Sequence, residues 1–93
     1  MRIIGEINDP RCKITIFKMG NKLAIKLEDS LIEQTFKLRE SLTLSNFQDI
    51  QKLLDEPFLQ EATQRFREMS NSIGRSIHRN IQAEEEEEFD EII

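Results

Sequence analysis

At 93 residues the chain has room for one domain and for no second hydrophobic core. Its formal net charge of −5 is unevenly placed: Glu84 to Ile93 hold 7 acids and no base, while residues 1–83 hold all 13 Lys and Arg against 11 acids. A single cysteine, Cys12, argues against the disulfide framework of a small secreted domain, and no apolar run approaches the ~20 residues that span a bilayer.

The N-terminal residues Met1 to Glu6 lack the apolar stretch and cleavage site of a secretory leader. The expected location is therefore the cytoplasm, with no membrane contact. Met1 to Ile7 forms a candidate strand, closed by the turn cluster Asn8-Asp9-Pro10. Cys12 to Met19 alternates, with Ile14 and Ile16 on one face and Lys13, Thr15 and Phe17 on the other. Cys12 lies between Arg11 and Lys13, a setting that favours the thiolate. It is nevertheless expected to be a strand-edge thiol with no role.

Gly20-Asn21 supplies a two-residue turn whose residues tolerate positive φ, a hairpin signal. Lys22 to Leu27 then points Leu23, Ile25 and Leu27 inward and Lys22, Ala24 and Lys26 outward. Glu28-Asp29-Ser30 reads as the next turn. Leu31 to Leu38 alternates again, with Ile32, Phe36 and Leu38 on one face and Gln34 interrupting it. Residues 1–40 are thus predicted to be an antiparallel meander of three or four strands.

Helical spacing replaces alternation after that. Ser45-Asn46-Phe47-Gln48 has the form of a capping box with Ser45 as N-cap. Phe47, Ile50, Leu53 and Leu54 give a short helix over 45–55 with one apolar stripe. Pro57 suits the first turn of a second helix, where its missing N–H costs nothing. Phe58, Leu59, Ala62, Phe66, Met69, Ile73 and Ile77 carry that helix over 57–82. Glu61 and Arg65 are spaced to support it as an i,i+4 pair, and Arg75 and Arg79 to oppose it mildly.

The fold class expected is α+β: a meander followed by a short and a long helix on one face. Its core is expected to set Ile14, Ile16, Leu23, Ile25, Leu27, Phe36 and Leu38 against Phe47, Ile50, Leu54, Phe58, Ala62, Phe66 and Met69. Residues 1–83 form the single domain and residues 84–93 an acidic tail. The long stripe outruns a sheet roughly 15–20 Å across, so the Ser70 to Ala83 end should overhang. Ile73, Ile77 and Ile81 on that end offer a surface for a partner or for a homodimer. The small residues Ser70, Gly74 and Ser76 permit close approach of another helix.

Catalytic chemistry finds little to work with. His78, the one histidine, neighbours Arg79 and Arg75 and has no carboxylate nearby in sequence to orient it. One His and one Cys far apart match no metal-ligand spacing, and three scattered glycines make no phosphate loop. No enzyme activity, metal or cofactor is expected.

Two binding readings remain. Arg11, Lys13, Phe17, Lys22 and Lys26, with Lys18, fall on the outward side of the hairpin, a rudimentary single-strand nucleic-acid platform. Lysine on a sheet also serves to block edge pairing, and the overall acidity opposes free nucleic-acid binding. The tail ends in Phe89-Asp90-Glu91-Ile92-Ile93. There, charge steers an encounter and Phe89, Ile92 and Ile93 anchor it, the pattern of a docking peptide for a protein partner with a basic groove. The leading expectation is a small non-enzymatic protein-interaction or assembly module. The alternatives are a nucleic-acid binder with the tail as competitor and a structural subunit of a larger assembly such as a virion or machine.

Overall fold

The computed structural model describes residues 1–82. Four strands of equal length, β1 (Arg2–Asp9), β2 (Cys12–Met19), β3 (Lys22–Asp29) and β4 (Ile32–Arg39), form one antiparallel sheet in chain order. Two helices follow, α1 (Phe47–Leu53) and α2 (Glu56–Ile77), and α2 runs on into a π-helical turn, His78–Gln82. This is the expected α+β meander with four strands.

The strands repeat every ten residues because each turn has two: Pro10–Arg11, Gly20–Asn21 and Ser30–Leu31. Gly20 has φ +60, a conformation without steric cost for glycine. Ser30 takes the equivalent place in the next turn at φ 53. That turn lies one residue later than the predicted Glu28-Asp29-Ser30, because Asp29 pairs with Ile32 and extends β3.

The register sorts the side chains into rows. Ile7, Ile14, Leu27 and Gln34 form one row of the inner face, and Gly5, Ile16, Ile25 and Phe36 form the next. A shift between Ile3 and Gly5 marks a bulge in β1. A Cβ at Gly5 would overlap the Phe47 ring, so the missing side chain seats α1 on the sheet edge. Ile50, Leu59, Ala62 and Phe66 close the core over Ile14, Ile16, Leu23, Ile25 and Leu27.

Several local expectations shift. The N-cap of α1 is Asn46, not Ser45: its side chain accepts from Asp49 N, and Asp49 Oδ2 accepts from Asn46 N. Asp49 also accepts from Ser45 N, and these donors hold its carboxyl below the usual carboxylate range. Asp55 caps α2 by accepting from Phe58 N, with Pro57 in the first turn. Cys12 belongs to the core rather than to an exposed edge, and burial pushes its thiol up, against the thiolate setting read from its neighbours. Leu59 joins the core, whereas Met69 is exposed and drops out of it.

The inner face keeps one buried polar side chain where the stripe was interrupted. Gln34 Nε2 donates to Ala62 O at 2.9 Å, and Arg65 Nε donates to Gln34 Oε1 at 2.8 Å. The Arg65 guanidinium lies 5.5 Å from the Phe36 ring centre and 5.6 Å from that of Phe58. Those rings meet edge to face. Arg65 thus fastens α2 to β4 instead of pairing with Glu61 along the helix, because ring faces and a buried carbonyl offer the cation a drier partner.

Candidate interaction surface

The sheet-packing face of α2 is set by Leu59, Ala62 and Phe66, all buried. The same face continues at helical spacing through Met69, Ile73 and Ile77. Beyond Phe66 the sheet no longer covers it: Arg67 to Gly74 are exposed without exception, and Ile73 keeps 55% of its surface in water. From Met69 to Ile81 this overhang is about 18 Å long.

An α-helical Ile81 would stand about 80° around the axis from Ile73. The π turn, with about 4.4 residues per turn, carries Ile81 back toward the line of Ile73 and Ile77. Asn80 Nδ2 donates to Ser76 O at 2.9 Å and satisfies a carbonyl there. Met69, Ile73, Ile77 and Ile81 therefore make one exposed apolar ridge.

The β3–β4 turn completes the surface. Leu31 and Ile32 line a groove of about 470 Å³ together with Glu33, Met69, Ile73 and Ile77. Leu31 is 99% exposed at the hairpin tip, a position that turn chemistry ordinarily gives to a polar residue. Neither Leu31 nor Met69 was among the sequence-predicted site residues. The available signal was a leucine directly after a turn serine.

Charge is kept off the crest of this ridge, although Glu33 lines the groove beside it. On a helical projection centred on Ile73, the residues beside the ridge are Ser70, Ser72, Ser76 and Asn80, while Arg67, Glu68, Arg75, His78 and Arg79 fall more than about 100° away. The ridge is thus a neutral strip on a chain in which 33% of residues are charged.

The second candidate surface is the open face of the sheet. Lys13, Phe17, Lys22 and Lys26 do share it, by strand register, with Lys37 and Arg39. Phe17 pairs with Ala24 and is half-buried, and Lys22 faces Arg39 across β3 and β4. Glu6, Glu28 and Glu33 are interleaved with these cations, and Lys26 Nζ lies 3.6 Å from Glu28 Oε1. Two expected members are elsewhere. Lys18 falls on the helix-covered side and pairs with Glu40 at 2.8 Å.

Arg11 lies in the β1–β2 turn and binds Asp9 and Glu56, each at 2.8 Å. The Asp9 hydrogen bond first, and then Glu56, raise the Arg11 pKa, and Arg11 in turn holds the Asp9 carboxyl below its ordinary value. Arg11 is a clamp between the first hairpin and the start of α2, not part of a platform.

Comparison with protein-family models, curated proteins and solved structures returns no match. The surface must be read from its own chemistry. Among the described residues no three of His, Cys, Asp or Glu are grouped to hold a metal, and no helix is long and apolar enough to cross a membrane. Phe89, Ile92 and Ile93, the predicted tail anchors, lie outside the described residues.

Proposed function

We propose that this chain is a non-enzymatic protein-interaction module of the cytoplasm, with the overhanging end of α2 as its partner surface. The observation that carries the reading is the uncharged ridge of Met69, Ile73, Ile77 and Ile81, rimmed by Leu31. Contiguous exposed apolar surface with a polar surround marks interaction sites in soluble domains. The acidic segment Glu84 to Ile93 supplies long-range steering toward a basic groove on the partner, and its apolar residues Phe89, Ile92 and Ile93 supply the anchor.

Affinity capture with the full chain and with Ile73→Glu/Ile77→Glu tests the reading. Both sites are exposed, so the double variant keeps its fold, as circular dichroism would verify. The reading expects at least tenfold less partner retained by the variant. Equal capture by both forms would remove the ridge from the account.

A further inference from the structure

The sheet layer stops at the β3–β4 turn while α2 continues. The molecule therefore has a step: one wall is the ridge of α2, and the other is the hairpin tip with Leu31 and Ile32. We propose that a second copy of this chain fills the step, the two overhangs packing antiparallel with Ile73 on the two-fold axis. The inference rests on the ridge being the partner surface and names its occupant.

Geometry favours this arrangement over other pairings. Turning one overhang by a two-fold about Ile73 sets Met69 of each chain beside Ile77 of the other, since the spacing is four residues on either side. Rows at i±4 are the ridges that interdigitate in the commonest helix-packing class. The facing side chains beside the ridge are Ser70, Ser72 and Ser76, short enough for the axes to approach. In the antiparallel pair each overhang occupies the layer that the other protomer's sheet vacates. Ile77 of each helix then comes level with the part of the groove where the other chain's Leu31, 99% exposed, stands beside Met69.

Charge and area agree. A parallel pairing would set Arg67, Arg75 and Arg79 each level with its own copy, while the antiparallel one sets only Arg67 level with Arg79 of the other chain and leaves Arg75 level with Asn71. Leu31, Met69, Ile73, Ile77 and Ile81 leave roughly 500 Å² of apolar side chain in water, the upper end of what a monomer exposes in one patch. With the flanking serines, each copy approaches the ~800 Å² of a standard interface. A symmetric contact uses one patch twice and needs no second complementary surface.

Light scattering on the full chain, from about 1 μM to about 1 mM, reads the assembly. The expected result is a mass that rises from one chain to two with a midpoint in the micromolar range, moved at least tenfold upward by Ile73→Glu. Cysteine cross-linking reads the geometry. Ile73→Cys should form a symmetric disulfide, and Met69→Cys should cross-link with Ile77→Cys but not with itself, its own copies lying about 12 Å apart along the axis. The native Cys12 is buried, so the unsubstituted chain serves as the background.

A monomer throughout that range overturns the inference, and so does Met69→Cys pairing with itself. If the chain is monomeric while Ile73→Glu/Ile77→Glu loses its captured protein, the second copy is wrong and the ridge survives as a partner surface. A dimer indifferent to ridge substitutions overturns the inference, and together with equal capture by the two forms it overturns the proposed function as well.

Discussion

The two ends of α2 share one stripe and one period yet differ in everything that surrounds them. The first half is fastened at four points: the Asp55 cap, the Arg11–Glu56 ion pair, the Gln34 bond to Ala62 O and the Arg65 guanidinium over two rings. The second half continues the stripe with other apolar residues, Met69, Ile73 and Ile77, and among the described residues no sheet lies beneath them. Helix length alone therefore does not measure how much of a helix belongs to the core. A stripe that outlasts its sheet leaves apolar surface in water in place of adding to the core.

Substitution of one residue from each half gives the largest contrast. Phe66→Ala removes a buried ring and should cost about 3–5 kcal/mol of unfolding free energy. Ile73→Ala at protein concentrations that keep the chain monomeric should change it by less than about 0.5 kcal/mol, since the lost contacts are few and alanine favours the helix. Urea titration of both variants measures the difference. Comparable losses would mean that the overhang is packed within its own protomer, and the comparison would fail.

The next effect concerns the fastening itself. Gln34→Leu fills the inner face with apolar volume but strips Arg65 Nε of its acceptor and Ala62 O of an added donor. Arg65 Nη2 is already buried with no hydrogen-bond partner among the described residues, so the guanidinium would keep little beyond its two rings. The expected cost is about 1–3 kcal/mol, the penalty of an unsatisfied buried donor. Arg65→Lys should not mimic the wild type, because an ammonium lacks the planar fork that spans Gln34, Phe36 and Phe58. A Gln34→Leu variant as stable as the parent would show that α2 is held by burial alone.

These residues also show what the sequence made legible. Alternation placed β2, β3 and β4, and the Gly20-Asn21 turn fixed the central hairpin; β1 is legible only as a candidate strand, and it runs on to Asp9 through the expected Asn8-Asp9-Pro10 turn. Even the overhang followed from counting turns of α2 against strand spacing. Gln34 was visible only as a fault in the pattern, because its role depends on Ala62 and Arg65, 28 and 31 residues away. Spacing pairs Arg65 with Glu61 for the same reason: local sequence cannot reveal rings supplied by β4 and the start of α2. The α1 cap slipped by one position because Ser45–Gln48 and Asn46–Asp49 both satisfy the pattern, and only the carboxylate reaches Ser45 N, Asn46 N and Ser45 Oγ together. Leu31 escaped because periodicity says nothing about a residue at a hairpin tip.

Acid should loosen the anchored end before it touches the ridge. Asp9 and Asp49 both have carboxyls held below the ordinary carboxylate value in the folded chain, by Arg11 and by the Ser45 and Asn46 donors respectively. The unfolded chain then binds protons more readily than the folded one as pH falls below about 5. Their stabilisation is complete above the unfolded value near 4 and is lost as pH drops through the lower folded values. The urea midpoint should fall steadily from pH 5 to pH 2. Asp49→Asn should lower the midpoint at pH 7 and flatten that acid limb, and an unchanged limb would show that the cap is not coupled to folding.

The smallest expected effect compares two turns of the same sheet. Gly20 and Ser30 hold the same position in consecutive two-residue hairpins, and both have positive φ. Glycine adopts that region freely, while serine meets its own Cβ against the backbone there. Ser30→Gly should therefore relieve strain and stabilise the chain by about 0.5 kcal/mol, after subtracting the greater freedom that glycine gives the unfolded state. The converse change, Gly20→Ser, should destabilise by a similar amount even though a side chain at Gly20 would meet open space, because the cost lies in the backbone and not in packing. Thermal midpoints of the two single variants and the double variant would show opposite signs and near-additivity, as expected for turns at opposite ends of the sheet. A Ser30→Gly variant less stable than the parent would mean that the serine side chain bonds within the turn and that Leu31 is held at the tip by more than backbone geometry.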